Sequence, residues 1–89
     1  MEIIKTQEGT SLNVALEGRL DTMTAPEFET ALKESIEGVE LLVLDFEKLE
    51  YVSSAGLRVI LGAQKIMNKQ GSMVIKNAKT LLLILNSTI

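Results

Sequence analysis

The chain has 89 residues, 46% of them hydrophobic, and a formal net charge of −3, enough for one small domain with a packed aliphatic core. It contains no cysteine and no histidine, which excludes disulfides and thiolate metal sites and removes the commonest general base and transition-metal ligand. An acidic balance with spread-out basic residues, and Phe28, Phe46 and Tyr51 as the only aromatics, argue against a nucleic-acid surface.

Ile3 to Thr6 reads as a short strand, and Glu8-Gly9-Thr10 as a turn. Leu12, Val14 and Leu16 alternate with Asn13, Ala15 and Glu17, which predicts a half-buried strand. The two strands should form an antiparallel hairpin. Gly18-Arg19-Leu20-Asp21-Thr22-Met23 breaks the alternation and leads to a helix. There Thr24 and Glu27 have capping-box spacing, and Pro26 stands in the first turn. Phe28, Ala31, Leu32, Ser35 and Ile36 share one face of that helix, and Glu29, Lys33 and Glu37 the other. Gly38 is expected to end it.

Leu41 to Phe46 is a continuous apolar run, expected to be a central strand covered on both faces, with Glu47 to Val52 as the loop after it. A second helix is expected over Ala55 to Gln70. Leu57, Ile60, Leu61, Ala63 and Met67 form its buried stripe, Arg58, Lys65 and Lys69 lie opposite with Gly62 among them, and Gly71 stops it. Met73 to Lys76 is another strand, followed by an Asn77-Ala78 turn. Lys79 to Asn86 is ambiguous between helix and strand, and a short helix is favoured. The fold class is therefore α/β. A small mixed sheet of about four strands carries helices in the order β-β-α-β-α-β-α, with right-handed crossovers. Binding loops of such sheets gather at the C-terminal ends of parallel strands, which is where Ser53, Ser54 and the Asp21 loop should meet.

Ser53-Ser54-Ala55-Gly56 stands where a loop turns into a helix. Serine there is a natural N-cap. The same position holds a hydroxyl beside unpaired amides at the positive end of the helix, which suits a phosphoryl group. Capping and phosphorylation are compatible. The chain has no G-x-x-x-x-G-K-[ST] loop, no G-x-S-x-G elbow and no histidine to complete a triad. The two aspartates, Asp21 and Asp45, could hold a metal only in a carboxylate site; turn and cap chemistry is the simpler reading, and no metal or cofactor is expected. The cationic stripe of the second helix is either a solvated face or a docking strip for an acidic protein surface. Gly62 allows either close packing against the domain or close approach of a partner.

Three segments carry a family resemblance: Gly18 to Pro26, Leu42-Val43-Leu44-Asp45-Phe46, and Tyr51-Val52-Ser53-Ser54-Ala55-Gly56-Leu57-Arg58-Val59-Ile60-Leu61. In order and spacing they resemble the bacterial anti-sigma factor antagonists of the STAS domain family, and the likeness runs from the first strand to about Asn77. The resemblance implies a partner switch. The unphosphorylated protein binds an anti-sigma factor that is also a serine kinase, phosphorylation dissociates the complex, and a phosphatase resets it. The implied acceptor is Ser54, two positions before the motif glycine, with Ser53 as the less favoured choice. Ser53 stands where many members have aspartate. Asp21, Thr22, Ser53, Ser54, Ala55, Gly56, Leu57 and Arg58 would form the partner-binding surface.

On this reading residues 1–89 are a single domain, C-terminally short relative to typical members, and the apolar end at Leu81 to Leu85 is a plausible dimer contact in a monomer or weak homodimer. No apolar run approaches the ~20 residues of a membrane span, Met1 to Lys5 lacks a signal-peptide layout, and a cytoplasmic, non-enzymatic protein is expected. The alternative is a STAS protein-binding module without phosphorylation, attached to a transporter or scaffold, with weak nucleotide or lipid binding. An enzyme is the third reading, with only serines, lysines and carboxylates available for it.

Overall fold

A computed structural model describes residues 1–79. The elements are β1 (Glu2–Glu8), β2 (Ser11–Leu20), α1 (Ala25–Ser35), β3 (Leu41–Val52), α2 (Ser54–Gln70) and β4 (Ser72–Lys76). They form one four-stranded sheet in the order β1-β2-β3-β4. β1 and β2 are an antiparallel hairpin, as the turn chemistry at Glu8-Gly9-Thr10 predicts. β3 runs parallel to both β2 and β4. The α/β sheet with intervening helices is therefore as expected. Of the final helix expected over Lys79 to Asn86 only Lys79 is among the described residues, and the apolar end at Leu81 to Leu85 lies outside them.

The inward faces of the strands and helices close on one core. Leu12, Val14, Leu16 and Leu20 of β2 pack with Leu42, Leu44, Phe46, Leu49 and Val52 of β3. Ala25, Phe28 and Leu32 of α1, Ile36 and Val39 past its end, and Ile60, Ala63 and Met67 of α2 complete the cluster. Only one face of β3 is buried. Leu41, Val43 and Asp45 on the alternate face are half-buried, and Ile4 and Val74 of the neighbouring strands are exposed. The two-sided covering expected of a continuous apolar run is thus corrected.

Both parallel strands are longer than their sequence patterns suggest. β2 continues through Gly18 to Leu20, and Glu47 to Val52 is strand, not loop. The reason is a pair of irregularities in the ladder. Ala15 pairs with Asp45 but Glu17 with Lys48, and Gly18 pairs with Leu49 but Arg19 with Tyr51. Each inserts one extra residue into β3, as a bulge does. The buried positions of β3 therefore step by two through Leu42, Leu44 and Phe46, then by three to Leu49 and Val52. A period-two reading loses the strand at Glu47.

The helix starts also depart from expectation. Thr24 occupies the N-cap of α1 in helical conformation and makes no side-chain cap bond, so the Thr24–Glu27 capping box does not form. Asp21 satisfies the loop amides instead. At the other end α1 stops at Ser35 with Ile36 as cap, and the turn through Gly38 follows. In α2, Leu61 is 61% exposed and does not belong to the buried stripe, where Gly56 takes a place instead. A Cβ on Gly62 would meet nothing within 4 Å, so this glycine does not serve close packing within the domain.

Gly71 does serve it. A Cβ there would fall 1.9 Å from the Glu40 carbonyl oxygen, where α2 turns back and the Ser72 amide donates to the same oxygen. Only glycine allows that approach. Gln70 closes the neighbouring gap, its side-chain amide donating to the carbonyls of Ile36 at 2.8 Å and Val39 at 2.6 Å.

Candidate functional site

The C-terminal ends of β2 and β3 lie side by side, with Leu20 paired to Val52. The chain leaving β3 enters α2 at once. Ser53 is its N-cap, in extended conformation, and its Oγ accepts from the Gly56 amide at 3.3 Å. Ser54 is the first residue of the helix and is exposed. The amides of Ser54 and Ala55 form no hydrogen bond with another described residue, as expected in a first helical turn. An exposed hydroxyl therefore stands at the positive end of a 17-residue helix.

Two contacts pin this turn to the β2–α1 loop. The Ser53 amide donates to the Leu20 carbonyl at 2.8 Å. A Cβ on Gly56 would come 2.6 Å from Leu20 Cγ and 3.2 Å from its carbonyl oxygen, so the absence of a side chain lets α2 press against the end of β2. The motif glycine is thus a packing residue of the site.

The β2–α1 loop is fixed by its own side chains. Asp21 Oδ1 accepts from the amides of Met23 at 3.0 Å and Thr24 at 3.1 Å. Thr24 Oγ1 accepts from the Asp21 amide at 2.9 Å and donates to the Arg19 carbonyl at 2.7 Å. The Thr24 amide foremost, helped by the Thr24 hydroxyl, the Met23 amide and the Arg19 guanidinium, holds the Asp21 carboxyl below its ordinary 3.8, against a smaller opposing effect of desolvation. Asp21 is anionic at neutral pH. Arg19 lies over the Tyr51 ring, 4.4 Å from its centre, with Nε 4.0 Å from Asp21 Oδ2. Nothing in the sequence alone pairs Tyr51 with Arg19. Both stand inside the motif segments, Arg19 in the first and Tyr51 at the start of the third, but their pairing depends on register across a bulged ladder, which is not readable without the fold.

Of the expected site residues, Ser53, Ser54, Ala55, Gly56, Leu57 and Arg58 form the first turns of α2. Asp21 is brought beside them through Leu20, without a direct bond between Asp21 and Ser54. Thr22 lines one shallow cleft together with Ala55 and Arg58. Asp45 is elsewhere. It accepts from the Asn77 side chain at 2.9 Å and the Glu47 amide at 3.1 Å, and these bonds, Asn77's first, hold its carboxyl below 3.8. Its role is to tie the first β3 bulge to the turn after β4, which is the turn chemistry read from the sequence. No group of three or more acidic, histidine or cysteine side chains able to hold a metal is present among the described residues. No helix among them is long and apolar enough to cross a membrane.

Comparison with known proteins agrees with this architecture. The STAS domain family model matches residues 2–82, and the chain belongs to that family. A curated relative, "Putative anti-sigma factor antagonist BtrV" of Bordetella bronchiseptica, is 36% identical over 70 residues, 76% of this chain and 60% of the relative; the chain thus matches less than two thirds of that protein. The unphosphorylated anti-sigma factor antagonist SpoIIAA superposes with a TM-score of 0.80 at 16% identity, over 99% of this chain and 84% of its own. The phosphorylated form of SpoIIAA, a Bacillus cell fate determinant, gives 0.76 at 16% identity, over 98% and 83%. An anti-sigma factor antagonist from Mycobacterium paratuberculosis gives 0.79 at 21% identity, over 98% and 77%. At these identities the structural likeness is one of fold.

Proposed function

We propose that the chain is an anti-sigma factor antagonist that works as a phosphorylation-controlled partner switch, with Ser54 as the phosphoacceptor. The observation that carries this reading is the placement of Ser54. Its hydroxyl is exposed at the first position of α2, directly after a capping Ser53 and beside the fixed Asp21 turn. The relative named as an antagonist, and the fold shared with SpoIIAA in both phosphorylation states, support it.

The chain supplies an acceptor, and a serine kinase supplies the catalysis. Ser54 Oγ attacks the γ-phosphorus of ATP, the bond from that phosphorus to the β-bridging oxygen breaks, ADP leaves, and the hydroxyl proton passes to a base on the kinase. The fold tolerates the product, because a phosphate at a helix N-terminus gains about 0.3–1 kcal/mol from the dipole. What changes is the surface. About −1.5 to −2 charges appear amid Asp21, Thr22, Ser53, Ala55, Gly56, Leu57 and Arg58. A complex built on the neutral hydroxyl loses its fit, and a phosphatase restores it. The kinase-type anti-sigma factor is the proposed partner.

The test is incubation with that kinase and ATP, followed by peptide mass spectrometry. One phosphate on the peptide containing Ser54, absent in Ser54→Ala, is expected. Phosphate that persists in Ser54→Ala and vanishes in Ser53→Ala would move the acceptor to Ser53. No transfer to either serine, with binding retained, would leave a STAS binding module without the switch.

A further inference from the structure

All 12 acidic residues of the chain lie between Glu2 and Glu50; the charged residues after them, Arg58, Lys65, Lys69, Lys76 and Lys79, are all basic. An acidic protein therefore carries one wholly cationic helix, α2, at its site. Arg58, Lys65 and Lys69 are exposed and form no ion pair with another described residue, whereas Lys5, Arg19 and Lys33 each lie within 4.0 Å of a carboxylate. At roughly 100° and 1.5 Å per residue, Ser54, Arg58, Lys65 and Lys69 fall within about 60° of arc along about 22 Å of helix. Leu61, 61% exposed, borders this stripe, and next to it the open backbone at Gly62 has nothing within 4 Å of a would-be Cβ.

We infer that this face of α2 is the docking surface for an acidic protein partner, with Leu61 as its apolar anchor and Arg58, Lys65 and Lys69 as its charge contacts. The inference rests on the switch reading above and gives it a physical basis. Ser54 heads the stripe one turn before Arg58. A phosphate there brings about −1.5 to −2 charges one turn from Arg58 and pairs with it at the i,i+4 spacing, withdrawing that side chain from the partner. Charge complementarity selects a protein over the alternatives. Attachment to an anionic membrane by a basic cluster takes about 4–8 cations, and the apolar face of α2 is already used in the core.

The experiment titrates the purified anti-sigma factor kinase with the full chain at low and high NaCl. The proteins compared are the wild type, Arg58→Gln/Lys65→Gln/Lys69→Gln, Leu61→Ala, and Lys48→Gln as a control outside the stripe. Thermal melts establish that each is folded, and Ser54 phosphorylation is followed in the same samples. The triple variant should bind at least roughly tenfold more weakly and lose most of the salt dependence. Leu61→Ala should also weaken binding roughly tenfold, and Lys48→Gln should behave as wild type. Unchanged affinity in the triple variant, with Ser54 still phosphorylated, overturns the stripe and leaves the switch standing. A wild-type chain that neither binds the kinase nor accepts phosphate overturns the switch and the stripe with it. Retention on phosphatidylcholine–phosphatidylserine vesicles, or self-association in sedimentation, that the triple variant abolishes while kinase binding persists assigns the face to a membrane or a second copy and likewise overturns the inference.

Discussion

The Ser53 amide donates to the Leu20 carbonyl at 2.8 Å, and this bond joins the end of β2 to the first turn of α2. It fixes where the Asp21 loop stands relative to Ser54, although no hydrogen bond joins the two side chains. Gly56 completes the junction by allowing Leu20 to lie against the helix backbone. The site is thus a property of the packing between two strand ends and one helix start.

Gly56→Ala forces a methyl group into the Leu20 side chain. Overpacking of this kind costs about 1–3 kcal/mol, and urea unfolding should show it. Leu20→Ala alone should cost about 2–5 kcal/mol through the cavity it leaves. The double variant should cost less than the two losses combined, because the truncated Leu20 makes room for the new methyl. Strict additivity would mean that the two residues do not meet.

Ser53→Ala removes the cap of α2 and should lower stability by about 1 kcal/mol. Ser53→Asp retains the cap acceptor and adds a favourable charge at the helix N-terminus, so its unfolding midpoint should equal or exceed that of the wild type. A destabilised Ser53→Asp variant would contradict the capping role.

Gln70→Ala leaves the Ile36 and Val39 carbonyls without the side-chain amide that now donates to both. The expected loss is about 1–3 kcal/mol, accompanied by faster amide exchange between residues 36 and 41. Exchange unchanged in that segment would show that water replaces the amide at no cost.

Acidification tests the two aspartates. Both carboxyls titrate below 3.8 in the folded chain, whereas the unfolded chain has them near their ordinary value of about 3.9. Between the two values the unfolded state binds more protons, so stability rises with pH there. Their contribution is complete above about pH 5 and is lost as pH falls through the folded values. The denaturant midpoint of the wild type should therefore drop between about pH 5 and pH 3. Asp21→Asn/Asp45→Asn should drop by less, since its side chains keep an acceptor oxygen and do not titrate. An equal drop would place the acid sensitivity in other carboxylates.

Much of this fold was legible in the chain because local pattern and tertiary need agree. The alternation through Leu12, Val14 and Leu16, the turn at Gly9, and Ser53 before an amphipathic run each specify an element that forms. The misses share a physical cause. Glu47, Lys48 and Glu50 read as loop because bulges change the spacing of buried residues, and a bulge is a property of two strands. The Thr24–Glu27 spacing suggested a capping box, but Asp21 competes for the same loop amides and wins. Leu61 looked like core because composition does not reveal where the wall of the domain ends. The serines and Asp21 could be picked out from their motif segments, while the Arg19–Tyr51 stacking pair needed the strand register.

Whether phosphate on Ser54 controls partner binding is decided by calorimetric titration of the anti-sigma factor kinase. The chain should be compared unphosphorylated and after complete, mass-verified phosphorylation of Ser54. Phosphorylation should lower the affinity roughly a hundredfold, about 2.7 kcal/mol. Equal affinity of the two forms would contradict it.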